Sequence, residues 1–407
     1  MSVRKFILLI LFIGFFYVSV AWIFGRVDLQ VRPDIVSTYA HRNFYDYSGV
    51  INIQSSQSTG SGTAEDIAQA AENVKLEFVV ITDANDFSAD PGRQGYINDV
   101  LVLRGGEYSF VDSRLLNMGY KTKDHLQGPG RAQVVLADLL SQKERDEKYG
   151  FFVLAHPQKP GYSLPDPLPE NLNGIEVFNL KSIWESAWIN KRSSFLWALF
   201  LYPINMRWSF TRLYTSYQRP EIGIWDAANR KRKLIGFAGA DANARARSPL
   251  GGEWRIPSYE TSFSVLRNHI LIKSELTGNF EQDQQKVFQA LRDGSFYISL
   301  DLIGDPKGFE SYLVDKGGKI HGLGSQVSLK SAKKIMVDLP EKPMKEFEVV
   351  IYRDGEKMMS SNSLNTEMDL HLPGAYRITV RVKLHFPFEG SRWVDWILTN
   401  PFFITEN

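Results

Sequence analysis

The stretch that most constrains this chain runs from Gly49 to Asp86 and has the grammar strand, polar glycine-containing loop, helix, strand. Val50, Ile51 and Ile53 make a short apolar strand, and Ser55 to Gly62 supply turn residues. Thr63 suits an N-cap with Asp66 in the first turn, and Ile67, Ala70, Ala71 and Val74 then recur at helical spacing. A second buried strand begins at Phe78 and delivers Thr82 and Asp83. A βα unit followed by a strand places its polar residues at the carboxyl ends of both strands, where α/β folds carry their chemistry.

The pattern repeats along the chain. Val100 to Leu103 is a short apolar strand delivering Arg104 and Glu107, and Phe151 to Ala155 ends in His156-Pro157. Ile175 to Phe178 presents Glu176 and Asn179, and Leu234 to Ala238 leads to Asp241 and Asn243. Asp90-Pro91-Gly92 reads as a loop and Gln133 to Leu140 as helical. Alternating strands and helices predict mostly parallel pairing around a barrel. A lone Glu or His after one strand is ordinarily a rim or turn residue; here such residues follow successive strands, which points to a common mouth.

These motifs, in this order, resemble the polymerase and histidinol phosphatase (PHP) metal-dependent phosphoesterases. Members show His-x-His, then Ser-Asp-Gly, then Thr-Asp-His-Asn; here the corresponding positions are Asn52 and Gln54, Thr59, and Ala84. Gly106-Glu107, Ala155-His156-Pro157, Gly174 to Asn179 and Gly239 to Asn243 continue the match, without the closing His. The resemblance implies a distorted seven-stranded PHP-type (β/α) barrel. It implies catalytic positions at Asp83, Glu107, His156 and Asp241, with Glu107, His156 and Asp241 as metal ligands.

Metal-assisted phosphoester hydrolysis needs nitrogen and oxygen ligands that hold cations and make bound water nucleophilic. Asn52 and Gln54 offer only neutral amide groups and Ala84 offers nothing. The remaining set is oxygen-rich and nitrogen-poor, so the expected cofactor is one divalent cation such as magnesium, calcium or manganese. A multinuclear zinc or iron centre is not expected. Asn52, Gln54, Arg104, Glu176, Asn179, Asn243 and Arg245 are the candidate ligand-binding residues, with Arg104 or Arg245 as alternative neutralisers of the carboxylates. The Ser55 to Thr63 loop reads first as a turn and second as an anion cradle.

The 407-residue chain carries a formal net charge of +1 and no cysteine, so disulfides, thiolate metal sites and a basic nucleic-acid footprint are not expected. Phe6 to Gly25 is uncharged and about long enough to cross a ~30 Å hydrocarbon core. The preceding Arg4 and Lys5 orient such a helix with its start in the cytoplasm and the body exported. Residues 1–26 are read as an anchor, with a signal cleaved near Ser19-Val20-Ala21 as the alternative. Residues 27–48 form a linker, 49–305 the barrel, and 306–407 an antiparallel β-sandwich with an Asp354-Gly355 hairpin turn.

An insert near 184–219 has no acidic residue between Glu185 and Glu221 but interleaves Lys191, Arg192, Arg207, Arg212 and Arg219 with aromatics. It is read either as an interfacial membrane contact or as a helical hairpin on the barrel. The leading functional reading is a pseudoenzyme that binds an anionic or phosphate-bearing small molecule or envelope component. The alternative is a phosphoester hydrolase with a reduced metal set, and the third a structural envelope protein.

Overall fold

A computed structural model describes residues 3–36, 42–84, 93–109, 113–119, 150–159, 168, 172–247 and 252–406. Asn85, Asp86, the loop at Asp90 to Gly92 and the helix expected at Gln133 to Leu140 lie outside them. Seven strands close a barrel: β1 (Tyr45–Ile53), β2 (Phe78–Ile81), β3 (Val100–Ser109), β4 (Arg114–Met118), β5 (Phe151–Ala155), β6 (Gly174–Asn179) and β7 (Ile235–Ala242). Pairing is parallel from β1 through β2 to β3, antiparallel on both sides of β4, and parallel again from β5 to β7; β7 closes on β1 in parallel. The single antiparallel strand is the distortion.

β2, β5, β6 and β7 are buried along their whole length, which is why they read as unbroken apolar runs rather than alternating ones. Between β1 and β2, helix α1 (Ala64–Asn73) begins at Thr63 with a reciprocal capping box to Asp66 and buries Ile67, Ala68, Ala70 and Ala71.

Beyond the barrel, β8 (Arg267–Ile272) pairs with β1 and with β9 (Phe296–Ser299), and β9 pairs with the strand Gly390–Thr399. Barrel and C-terminal strands thus share one continuous hydrogen-bonded sheet. The C-terminal residues also form a four-stranded antiparallel sheet built on Glu310–Asp315 and Ala332–Asp338. Most C-terminal pairings are antiparallel, and Gln326–Ser328 with Phe402–Thr405 is parallel. Asp354 and Gly355 both take positive φ in the turn joining Phe347–Arg353 to Glu356–Ser361, as a tight hairpin requires. Arg377 grips Asp226 with two bonds of 2.8 Å, and Asn400 Oδ1 accepts from Gly236 N, so the C-terminal sheet is docked on the barrel.

The segment read as a linker is partly structured: β1 begins at Tyr45, and Pro33–Val36 pairs with Glu341–Pro343. The N-terminal helix (Val3–Phe24) has a mean hydropathy of 2.6 over its most apolar window and buries none of it. Its length and composition suit a membrane span or a signal sequence. The insert is helical, with elements Leu180–Asn190, Arg192–Leu201, Met206–Ser216 and Pro220–Asn229.

Candidate functional site

Asn52, His156 and Asp241 sit at or just past the carboxyl ends of β1, β5 and β7, and all three have positive φ (61°, 51° and 42°). Non-glycine residues in that region are uncommon and concentrate where the surroundings hold a side chain in a set direction. The strand ends bring Asn52, Gln54, Asp83, Arg104, Glu107, His156, Glu176, Asn179 and Asp241 into one buried network. At its centre Glu176, fully buried, accepts from Asn52 Nδ2 (2.8 Å), His156 N (3.1 Å) and Asn179 Nδ2 (2.8 Å). Burial, joined by the charge of Asp241, pushes its carboxyl up to about 8 against the hydrogen bonds that favour the anion. Gly239 makes room for this carboxyl, since a Cβ there would lie 1.8 Å from Glu176 Oε1.

The Gln54 amide is used internally. Gln54 Nε2 donates to Thr82 O (2.7 Å) and Glu107 Oε2 (3.1 Å), while its Oε1 accepts from Ser58 Oγ (2.6 Å) and Ala84 N (3.0 Å). Every polar atom of that side chain has a protein partner. Asp83 is likewise occupied: it accepts from Ser55 N, Ser55 Oγ and Ser58 Oγ, and pairs with the buried Arg104 at 2.7 Å. The Ser55 to Thr63 loop is a packed turn. Ser56 N, Gly60 N and Ser61 N go to backbone carbonyls, and Tyr259 Oη donates to Gln54 O.

Glu107, His156 and Asp241 keep capacity at the mouth. Glu107 lies 3.2 Å from Arg114 Nε, yet burial and then the charge of Asp241 raise its carboxyl to about 7. His156 Nδ1 contacts Ser182 Oγ at 3.1 Å and Nε2 lies 3.3 Å from Asp241 Oδ2. Burial lowers the ring to about 4 despite that carboxylate, so it is neutral at pH 7, the form that can offer a lone pair to a cation. Asp241 Oδ2 and Asn52 Oδ1 are buried and accept no hydrogen bond. Asp241 Oδ2 and Asn52 Oδ1 are thus open acceptors beside a neutral imidazole, but Glu107, His156 and Asp241 do not converge closely enough to form a three-residue cation site. Nor do they fit a multinuclear centre, because Gln54 and Asp83 are already occupied.

Two of the expected ligand-binding residues lie outside the network. Arg245 pairs with exposed Glu253 at 3.0 Å, and Asn243 serves the loop, its carbonyl accepting from Ser61 N and its Oδ1 from Arg245 N. Arg104 is the neutraliser, and its partner is Asp83. Sequence reasoning missed Lys181, 3.8 Å from Asp241 Oδ1, and Ser182. Both follow Asn179, the N-cap of the helix Leu180–Asn190; that cap was the available signal.

His269, Asp301 and Asp305 also lie close enough together to hold an ion. His269, however, bridges Asp46 (Nδ1, 3.0 Å) and Asp301 (Nε2, 3.2 Å), and the two carboxylates raise it to about 10 against the effect of burial. A protonated ring with both nitrogens committed as donors has no lone pair for a metal.

No family model matches the chain, and no curated protein matches it. Solved structures similar to it include the following two. One, from Bacteroides vulgatus ATCC 8482, is described as a two-domain protein containing a PHP-like metal-dependent phosphoesterase; identity is 10%, the TM-score 0.34, and the match covers 89% of this chain and 99% of that one. The other, from Bifidobacterium adolescentis ATCC 15703, is described as a metal-dependent phosphoesterase; identity is 14%, the TM-score 0.25, and coverage 47% and 86%. With its closed seven-stranded barrel and the motif frame along it, this chain resembles the PHP-like metal-dependent phosphoesterases.

Proposed function

We propose that this is a membrane-anchored, exported protein whose barrel mouth binds an anionic, phosphate-bearing ligand, with at most one divalent cation and without efficient hydrolysis. The observation that carries the reading is the occupation of Gln54 and Asp83 by protein partners, which removes two positions from metal duty. Around the remaining carboxylates, Arg114, Lys181 and Lys159 supply positive charge at the rim, so an anion meets cations there with or without a metal. The N-terminal helix serves as the anchor in this reading. A cation bound at Glu107, His156 and Asp241 would supply charge to hold a phosphate oxygen.

The test is hydrolysis of bis(p-nitrophenyl) phosphate by the full chain with magnesium, calcium or manganese. The expected result is no turnover above buffer, together with saturable binding of inorganic phosphate. Turnover that His156→Ala abolishes would overturn it. That outcome belongs to the second reading, a single-cation phosphoester hydrolase, which the orphaned Asn52 Oδ1 and Asp241 Oδ2 favour.

A further inference from the structure

The insert helix Arg192–Leu201 lies antiparallel beside the end of the N-terminal helix. Phe24 meets Trp197 with ring centroids 5.7 Å apart, and Tyr17 meets Phe200 at 6.1 Å. Phe16, Val20 and Phe24 on one helix and Leu196, Trp197 and Phe200 on the other line an apolar groove of about 510 Å³. Both sets recur at helical spacing, so the walls are continuous stripes. From Phe16 to Phe24 the groove runs about 12 Å along the helix axis. Leu196 on the groove wall is 56% exposed, Leu199 one turn from it 49%, and Phe388, against Phe24, 89%.

The same insert helix borders a polar cleft of about 450 Å³, lined by Lys191, Arg212, Arg219, Arg392 and Glu389. Ser193 faces the groove and Ser194 the cleft, and Glu389 follows Phe388, so the two cavities adjoin. Among the described residues, four cations here face Glu389 and Asp395, with Glu221 also near Arg219. Arg212 and Arg392 both converge on Glu389, Arg219 pairs with Asp395, and Lys191 reaches only a backbone carbonyl, Ser216 O. Arg212 Nε is buried with no acceptor. An apolar slot opening beside an excess of positive charge matches an amphiphile with an anionic head.

We infer that this junction is a binding site for one anionic phospholipid of the outer leaflet, its acyl chain in the groove and its phosphate in the cleft. The inference rests on the reading of the N-terminal helix as a membrane anchor. Occupancy would fix the body's height and tilt on the bilayer through the insert, which leads directly from Asn179 at the barrel mouth.

The test reconstitutes the full chain in vesicles of phosphatidylcholine containing either phosphatidylglycerol or phosphatidylcholine with brominated acyl chains, and follows tryptophan quenching. Subtracting the Trp197→Phe variant isolates the groove signal. Quenching of Trp197 should saturate at about a fivefold lower mole fraction of brominated phosphatidylglycerol, the effect of roughly 1 kcal/mol per basic residue. Arg392→Gln should erase that preference, and Leu196→Asn, at a half-exposed position outside the core, should weaken quenching by either lipid. Equal quenching by both lipids in a protein that floats with the vesicles would overturn the lipid site and leave the anchor standing. Failure to float would overturn the anchor itself. Inorganic phosphate filling the cleft without altering the Trp197 signal would also count against a lipid.

Discussion

Strand β1 carries two buried charge clusters, one at each end, and they are built on opposite rules. At its start, Asp46 accepts from His269, Tyr297 Oη (2.7 Å) and Gly308 N (2.8 Å), while Arg267 and His269 share Asp301. Anions and cations are matched there, and the imidazole is held protonated. At its end, Glu176 is surrounded by amide donors with no cation beside it among the described residues, and His156 is held neutral. Asp241 and Asn52 keep acceptors without donors. A balanced cluster is a clasp between β1, β8 and β9. At the other end the mouth's cations lie beside Asp83, Glu107 and Asp241, and burial raises the carboxyl of Glu176.

Breaking the clasp gives the largest expected effect. His269→Gln leaves Asp46 and Asp301 buried without their shared cation and should destabilise the fold by about 3–5 kcal/mol at pH 7. The pH sign follows from the raised folded value. His269 contributes stability that is fully present below its ordinary 6.5 and is lost as pH rises through about 10. Denaturant titrations across that window should show the loss in the parent and not in the variant.

Smaller effects sharpen the contrast at the mouth. Gly239→Ala drives a methyl into Glu176 Oε1, with an expected cost of about 1–3 kcal/mol. Weakened phosphate binding should accompany it, since Asn52 and Asn179 hang on the same carboxylate; calorimetry on the variant reads both. Arg245→Ala gives the smallest effect, a stability change within about 0.5 kcal/mol and unchanged phosphate affinity, because its partner is the exposed Glu253. A large loss of affinity there would place the mouth's boundary further out.

Much of the mouth was legible because it is written locally. Apolar runs such as Phe78 to Ile81 and Phe151 to Ala155 announce buried parallel strands, and the polar residues that follow them meet at one end of the barrel. The substitution of amides for imidazoles was also readable at Asn52 and Gln54. Their use was not, because the donors and acceptors that consume Gln54 come from Ser58, Thr82, Ala84 and Glu107 on three separate segments. The clasp was invisible for the same reason: His269 lies 223 positions from Asp46, and no local period links them. Arg245 turns to Glu253, and a basic residue near a motif carries no sign of which way its side chain turns.

We propose that the mouth lacks the ligands for a multinuclear centre and takes up at most one hard cation. Elemental analysis of the full chain, purified without chelator and equilibrated with magnesium, manganese, zinc and iron in turn, tests it directly. The expected result is no more than one equivalent of a divalent ion, lost in Asp241→Asn. Two or more tightly held equivalents of zinc or iron, released together by His156→Ala, would contradict it.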